Sequence, residues 1–318
     1  MSIRKVILLG KRKKKTGNTR FMFKALQRRV EKVVFLNLPR IKKYYFWTDY
    51  RKIVYKKIRN ADPDLVLIFS TDIPYSVLER IKNDSITAIF FPDHDGPRSE
   101  RLVRYGRITD YVFLNNKSQH AELRSLGVKN PVFSMEGCDP DENHPIPTRR
   151  RRWASDVAFI GKPVQENRIE LMRAVDQRFN LKIWGGRWEE FGLTSHKKSV
   201  YPREYGKICY ASKIILGCDQ SHEMDSYFSN RTWLTLGSGG FLLSNYVPGL
   251  EKILIKGRHL EWYHSIEECL ELIDYYLRHE SERQHIARAG CEYVHAHHTW
   301  DGVIDKIISR IEHDHKHI

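Results

Sequence analysis

The chain has 318 residues, 41% of them hydrophobic, enough for two α/β cores of ordinary size. No stretch reaches the ~20 unbroken apolar residues of a membrane-spanning helix, and the opening MSIRKVILLGKRKKK has an apolar run too short for a secretory signal. Cys138, Cys209, Cys218, Cys269 and Cys291 are scattered, odd in number and lack CxxC spacing, which argues against a zinc or disulfide framework and for a reducing, cytoplasmic setting. The net charge of +15 sits at one end: residues 1–150 hold 31 Lys+Arg against 16 Asp+Glu, residues 151–318 hold 23 of each, and residues 1–60 hold 20 against 2. A solvated basic face is the plain reading, but so one-sided a segment repels itself unless an anion is near.

In chain order, Lys5 to Leu9 is a first strand, and the turn after Gly10 carries Lys11, Arg12, Lys13, Lys14, Lys15 and Arg20. Loops after the carboxyl ends of strands line the ligand crevice of a doubly wound sheet, so this cationic turn is expected to face it. It lacks the order of a P-loop. Phe21 to Val30 reads as an amphipathic helix and Val33 to Leu36 as a second strand. Arg40 to Arg59 interleaves basic and aromatic residues, among them Lys42 and Lys43. Three readings stay open: bases stacked on aromatics with phosphates on Lys and Arg, a membrane interface, or an ordinary helix with inward rings.

Val66 to Ser70 and Ile86 to Phe91 are strands, with a helix from Ile73 to Ile81 between them. The second of these strands ends in Pro92, Asp93, His94, Asp95, Gly96 and Pro97. Carboxylates and a histidine at a strand's carboxyl end suit a general base acting on a hydroxyl, so Asp93, His94 and Asp95 are the candidate catalytic residues. A polar turn is the alternative, and three consecutive residues are poorly placed to converge on one metal ion. Strands at Tyr111 to Leu114 and Val132 to Ser134, with a helix from Asn116 to Leu126, complete the first half. The prolines Pro145 and Pro147 and the run Arg149 to Arg152 mark a linker, with the boundary near Thr148.

The second half opens with a strand ending at Ile160 and a turn, Gly161 and Lys162, whose N–H groups suit a phosphate or merely join strand to helix. Ile183 to Trp188 ends a strand in Gly185 and Gly186, leaving room for a flat base. Trp184 and Trp188 read first as packing residues, and Tyr201 to Tyr205 is placed to cover the base edge. Tyr205 to Gly249 then reads as helix, strand, polar loop, helix, glycine turn, strand. Ser229 or Asn230 caps the second of these helices and sets Arg231 in its first turn, a combination suited to a diphosphate or to an ordinary βαβ unit. Glu251 to Ile255 continues the fold, and helices follow at Ile266 to Leu277, Glu282 to His295 and Trp300 to Ile311. His295, His297, His298, His313, His315 and His317 read as a solvated tail rather than a metal site.

Ser229, Arg231, Trp233, Leu234, Leu236, Gly239, Phe241, Leu242 and Leu243 follow a spacing that resembles the S-x-R-x-F-E-x-L-x-x-G-x-F-L-L pattern of CgeB-type (group 1) glycosyltransferases of GT-B architecture. Asp156 to Gly161, Asn167 with Arg168, Ile183 to Trp188, the crossing Glu136 to Pro145 and the closing Gly290 to Trp300 resemble the same family in order. The glutamate that contacts the ribose in that family is Leu234 here.

The resemblance implies two facing Rossmann-like α/β domains, 1–148 for the acceptor and 149–318 for a nucleotide sugar, with a last helix that crosses back. It implies transfer from a nucleoside-diphosphate sugar, a UDP-sugar by family expectation, without a metal or other cofactor. The donor set is then Gly161, Lys162, Arg168, Trp184, Gly185, Gly186, Tyr205, Ser229, Asn230 and Arg231. The acceptor set is Lys11, Arg12, Lys13, Lys14, Lys15, Arg20, Lys42 and Lys43. The charge favours a polyanionic acceptor, with nucleic acid bearing a hydroxylated base set slightly ahead of an anionic envelope glycolipid. The expected setting is cytoplasmic, with the inner membrane face as the peripheral alternative. A non-catalytic module that keeps the fold is the reading of another class.

Overall fold

The computed structural model describes residues 2–11, 17–93 and 96–316. They form two compact units, 1–136 with 300–318 and 137–299. The division falls after Glu136 rather than near Thr148. Residues beyond Glu136 already belong to the second unit: the Cys138 N–H donates to the His298 carbonyl (2.9 Å), and His295 Nε2 bonds the Asn143 carbonyl (3.0 Å).

The first unit runs β1 (Lys5–Gly10), α1 (Asn18–Arg29), β2 (Lys32–Asn37), α2 (Leu38–Tyr44), α3 (Tyr50–Ala61), β3 (Leu65–Phe69), α4 (Tyr75–Ile81), β4 (Ile86–Phe91), α5 (Glu100–Gly106), β5 (Tyr111–Leu114), α6 (His120–Ser125) and β6 (Pro131–Phe133). The second runs β7 (Val157–Ile160), α7 (Glu166–Arg178), β8 (Leu181–Trp184), α8 (Pro202–Ala211), β9 (Ile214–Leu216), α9 (Asn230–Gly237), β10 (Leu242–Asn245), β11 (Glu261–Tyr263), α10 (Ile266–Arg278) and α11 (Glu280–His297). Helix α12 (Trp300–Asp314) then joins the first unit.

Short, largely apolar runs such as Ile86–Phe91 form strands buried on both faces, as a parallel sheet covered by helices requires. Every strand pairing is parallel. The first sheet has the order β2-β1-β3-β4-β5-β6 and the second β8-β7-β9-β10-β11. Both therefore reverse winding direction beside their opening strand, between β1 and β3 and between β7 and β9. At such a switch point, connections leave the carboxyl ends in opposite directions and open a crevice.

Helix α12 returns because of its sequence. Trp300, Val303, Ile304, Ile307, Ile308 and Ile311 lie on one face at helical spacing, and all are buried in the first unit's core. Each such side chain contributes about 1.5–3 kcal/mol when fully buried. Arg28 pairs with Asp301 (2.8 Å) and Arg29 with Asp305 (2.9 Å), fixing α12 against α1.

Three expectations shift. Arg40–Arg59 is two helices, because Asn37 and Asp49 each cap a separate start. Where Glu251 to Ile255 was expected to continue the fold, residues 250–252 make a 3₁₀ turn, and β11 ends the sheet. Helix α5, with its Ser99 cap, was not anticipated.

Candidate active site

The second unit's switch point is built around one backbone carbonyl. Strand β9 ends at Leu216, and the Cys218 carbonyl just beyond it accepts from Arg168 Nη2 and from Arg231 Nη2 (3.0 Å). Arg168 is carried by α7 and is 1% exposed. Its Nη1 donates to the Lys162 carbonyl after β7 (2.9 Å), so this side chain ties the two central strand ends together. Arg231 lies in the first turn of α9, where Ser229 Oγ caps its N–H (3.3 Å). The buried Asp219 carboxylate sits 3.5 Å from Arg231 Nη2 and accepts from the Ser229 N–H (3.4 Å).

Two guanidinium charges thus face one carboxylate, at a helix start whose dipole is also positive. Burial pushes Asp219 upward in pKa, against the pull of Arg231, the Ser229 N–H and Arg168. Burial and then the like charge of Arg231 lower Arg168, which keeps its charge as arginines in proteins do. Arg231 Nε is buried without a partner. The cluster is short of negative charge, and a bidentate anion would supply it.

The donor candidates sort by what their atoms already do. Ser229, Asn230, Arg231 and the exposed Lys162 come together at this point. Arg168 does not meet solvent; its role is to hold the Lys162 and Cys218 carbonyls. Trp184 is corrected from ligand contact to packing: it is 4% exposed and lies against Trp153 (5.2 Å) and His196 (5.4 Å). Tyr205 is corrected likewise, since its hydroxyl is buried on Thr235 Oγ1 (2.8 Å). The Gly161 N–H is taken by the Trp184 carbonyl (2.8 Å) and its carbonyl by Trp188 Nε1 (2.8 Å), so this turn offers a phosphate no free N–H at Gly161. Gly185, at φ +147°, exists for that close approach: a Cβ there would lie 1.9 Å from the Gly161 oxygen. Gly186 is buried beside Lys198. Leu234 packs with the apolar cluster that includes Trp153, Trp184 and Tyr205.

In the first unit, Lys11 Nζ reaches Asp72 Oδ1 across the β1/β3 switch point (3.5 Å). Arg12, Lys13, Lys14, Lys15, His94 and Asp95 lie outside the described residues. Arg20 is half-buried on α1; Lys42 and Lys43 are exposed in the last turn of α2. Asp93 follows β4, and Asn115 Nδ2 holds the Pro92 carbonyl beside it (2.5 Å).

Sequence reasoning missed a buried carboxyl that feels the charge of Asp93. Glu136, 5% exposed, accepts from Asn18 Nδ2 at the start of α1. Burial first, and then the Asp93 charge, push its carboxyl up to about 8. The buried Glu136 carboxyl therefore holds a proton near neutrality, while Asp93 is exposed. The only clue in the sequence was an acidic residue just past the sixth strand.

The thiols are all free and all raised in pKa by burial, Cys138 to about 12, so none is an activated nucleophile. Among the described residues no three His, Cys, Asp or Glu side chains converge as metal ligands. No described helix is long and apolar enough to cross a membrane.

Residues 165–309 match the family model described as glycosyl transferase-like. Among curated protein sequences none matches the chain. Solved structures align over nearly the whole chain. Anabaena HepE, in complex with UDP and glucose, has a TM-score of 0.69 at 11% identity, covering 97% of this chain and 99% of that one. Sucrose-phosphate synthase from Thermosynechococcus elongatus reaches 0.72 at 10% identity, covering 99% and 100%.

The fold is GT-B.

A glycosyltransferase from Rickettsia africae adds a TM-score of 0.67 at 11% identity, covering 97% and 98%. The GT-B fold and the family match over α7 to α12 together support a glycosyltransferase.

Proposed function

We propose that this protein transfers a sugar from a nucleoside-diphosphate sugar to a hydroxyl of a polyanionic acceptor, and that it is of the CgeB type by its ordered motifs. The observation that carries the donor half is the convergence of Arg168 and Arg231 on the Cys218 carbonyl at the β7/β9 switch point. HepE has been solved with UDP-glucose, which favours UDP as the nucleotide. Arg231, Lys162 and the capped start of α9 take the diphosphate; Asp219 and the Cys218 carbonyl hold Arg231 in place.

In the reaction, the acceptor hydroxyl gives its proton to Asp93. Its oxygen bonds to the anomeric carbon, and the bond from that carbon to the diphosphate breaks with its electron pair. The nucleoside diphosphate leaves as an anion, and the charge that develops meets donors fixed beforehand, where such donors are most effective. Glu136, its pKa raised by burial, keeps its proton at neutral pH, and Asp93 is the exposed carboxyl that meets the hydroxyl. His94 and Asp95 remain candidates beside it. The acceptor is a polyanion because the first unit is strongly basic: nucleic acid with a hydroxylated base and an anionic glycolipid both fit.

Titration calorimetry with UDP and UDP-sugars tests the donor half. Binding by the native chain that weakens in Arg231→Ala supports it; no binding of any nucleoside diphosphate, or equal binding by the variant, overturns it. Binding without turnover on any acceptor would move the protein to the non-catalytic class, for which Leu234 is the motivating residue.

A further inference from the structure

The acceptor side can be taken further from the turn that joins α2 to α3. Tyr44 is 63% exposed, Phe46 81% and Trp47 67%, three large apolar side chains within four residues. Phe46 meets Trp47 edge to face (5.1 Å), and Tyr45 lies against Trp47 from the other side (5.8 Å). The rings make one packed wedge on an outward turn. Residues 40–59 surround it with eight Lys and Arg against a single acidic residue, Asp49, which caps α3 and pairs with Arg51. Beside α2 is a cavity of about 220 Å³ lined by Phe35, Leu36, Asn37, Arg40, Ile41 and Lys57. It has two cations at an apolar wall, and is below the ~300 Å³ at which pockets for whole small molecules begin.

We propose that this turn docks on an anionic lipid bilayer, with Phe46 and Trp47 entering the interface and Arg40 and Lys57 receiving a lipid phosphate. The inference deepens the acceptor half of the proposed function by naming where the acceptor resides. Aromatic rings at headgroup depth with flanking cations are how interfacial segments hold an anionic surface. Nucleic acid fits less well. Stacking needs open ring faces spaced for successive bases. Here the rings pack on one another, and Arg40 and Lys42 lie over the Tyr44 and Tyr50 rings (5.9 and 5.8 Å).

The test is sedimentation of the full chain with vesicles of phosphatidylcholine alone and of phosphatidylcholine mixed with phosphatidylglycerol. The native chain should pellet with the mixed vesicles only. Phe46→Ser/Trp47→Ser should lose at least roughly tenfold in partitioning, and Arg40→Glu/Lys57→Glu should lose the preference for phosphatidylglycerol. UDP affinity of the Phe46→Ser/Trp47→Ser variant should equal that of the native chain, which separates failure here from failure of the donor site. The proposal is overturned by absence of pelleting, by pelleting that survives Phe46→Ser/Trp47→Ser, or by binding to DNA but not vesicles that is lost in that variant.

Discussion

The two units share a strand order and treat charge in opposite ways. The first holds 32 Lys+Arg against 17 Asp+Glu; the second holds 22 of each. In the second, Arg168 and Arg231 are buried or half-buried and braced on backbone oxygens. In the first, Lys42 and Lys43 stand in solvent on helix surfaces. A single diphosphate of fixed shape rewards a few charges held rigidly, since little freedom is lost on binding. An extended anionic surface rewards many mobile charges, each replaceable by its neighbour. Charge count alone would point away from the unit proposed for the donor.

The sharpest way to break this comparison is at the carboxyl pair. Asp93→Asn should lower the transfer rate by roughly 10²–10⁴-fold, the range for a lost general base, with donor affinity kept. Glu136→Gln, which imitates the protonated acid, should retain most activity at neutral pH; a larger loss there than in Asp93→Asn would reverse the roles. Next in size, Arg231→Ala should weaken UDP binding by roughly 10–100-fold, as loss of hydrogen bonds to a charged group implies. Arg168→Met should act on folding instead, costing about 1–3 kcal/mol in urea unfolding because the Lys162 carbonyl loses its partner and the Cys218 carbonyl one of two.

Glu136 also sets a pH dependence. Its folded pKa, about 8, is raised above the ordinary 4.5, so its contribution to stability is full below 4.5 and is lost as pH rises through 8. Unfolding midpoints should therefore fall across that window in the native chain and fall less in Glu136→Gln. The smallest effect is expected at Tyr205→Phe: about 1 kcal/mol of stability from the lost Thr235 hydrogen bond, and unchanged UDP binding.

Local order was legible where local physics decides it. The Ser229 cap, the apolar runs that became β1, β3, β4 and β5, and the stripe on α12 follow from neighbours in sequence. What escaped depends on contacts far apart along the chain. Glu136 becomes unusual only through Asn18 and Asp93. Trp184 and Tyr205 look like ligand contacts until Trp153 and Thr235 cover them. The division near Thr148 followed prolines and arginines, whereas the fold divides where hydrogen bonds to α11 begin.

The placement of α12 has a consequence for synthesis. The polypeptide leaves the first unit after Glu136 and re-enters it at Trp300, so the second unit is an insertion within the first. During translation the inserted unit has all its strands before the host domain has its covering helix. Until α12 emerges, the faces of Phe90 and Tyr111 that meet it stay uncovered. The basic unit is thus complete only once a segment made after the whole insert reaches it.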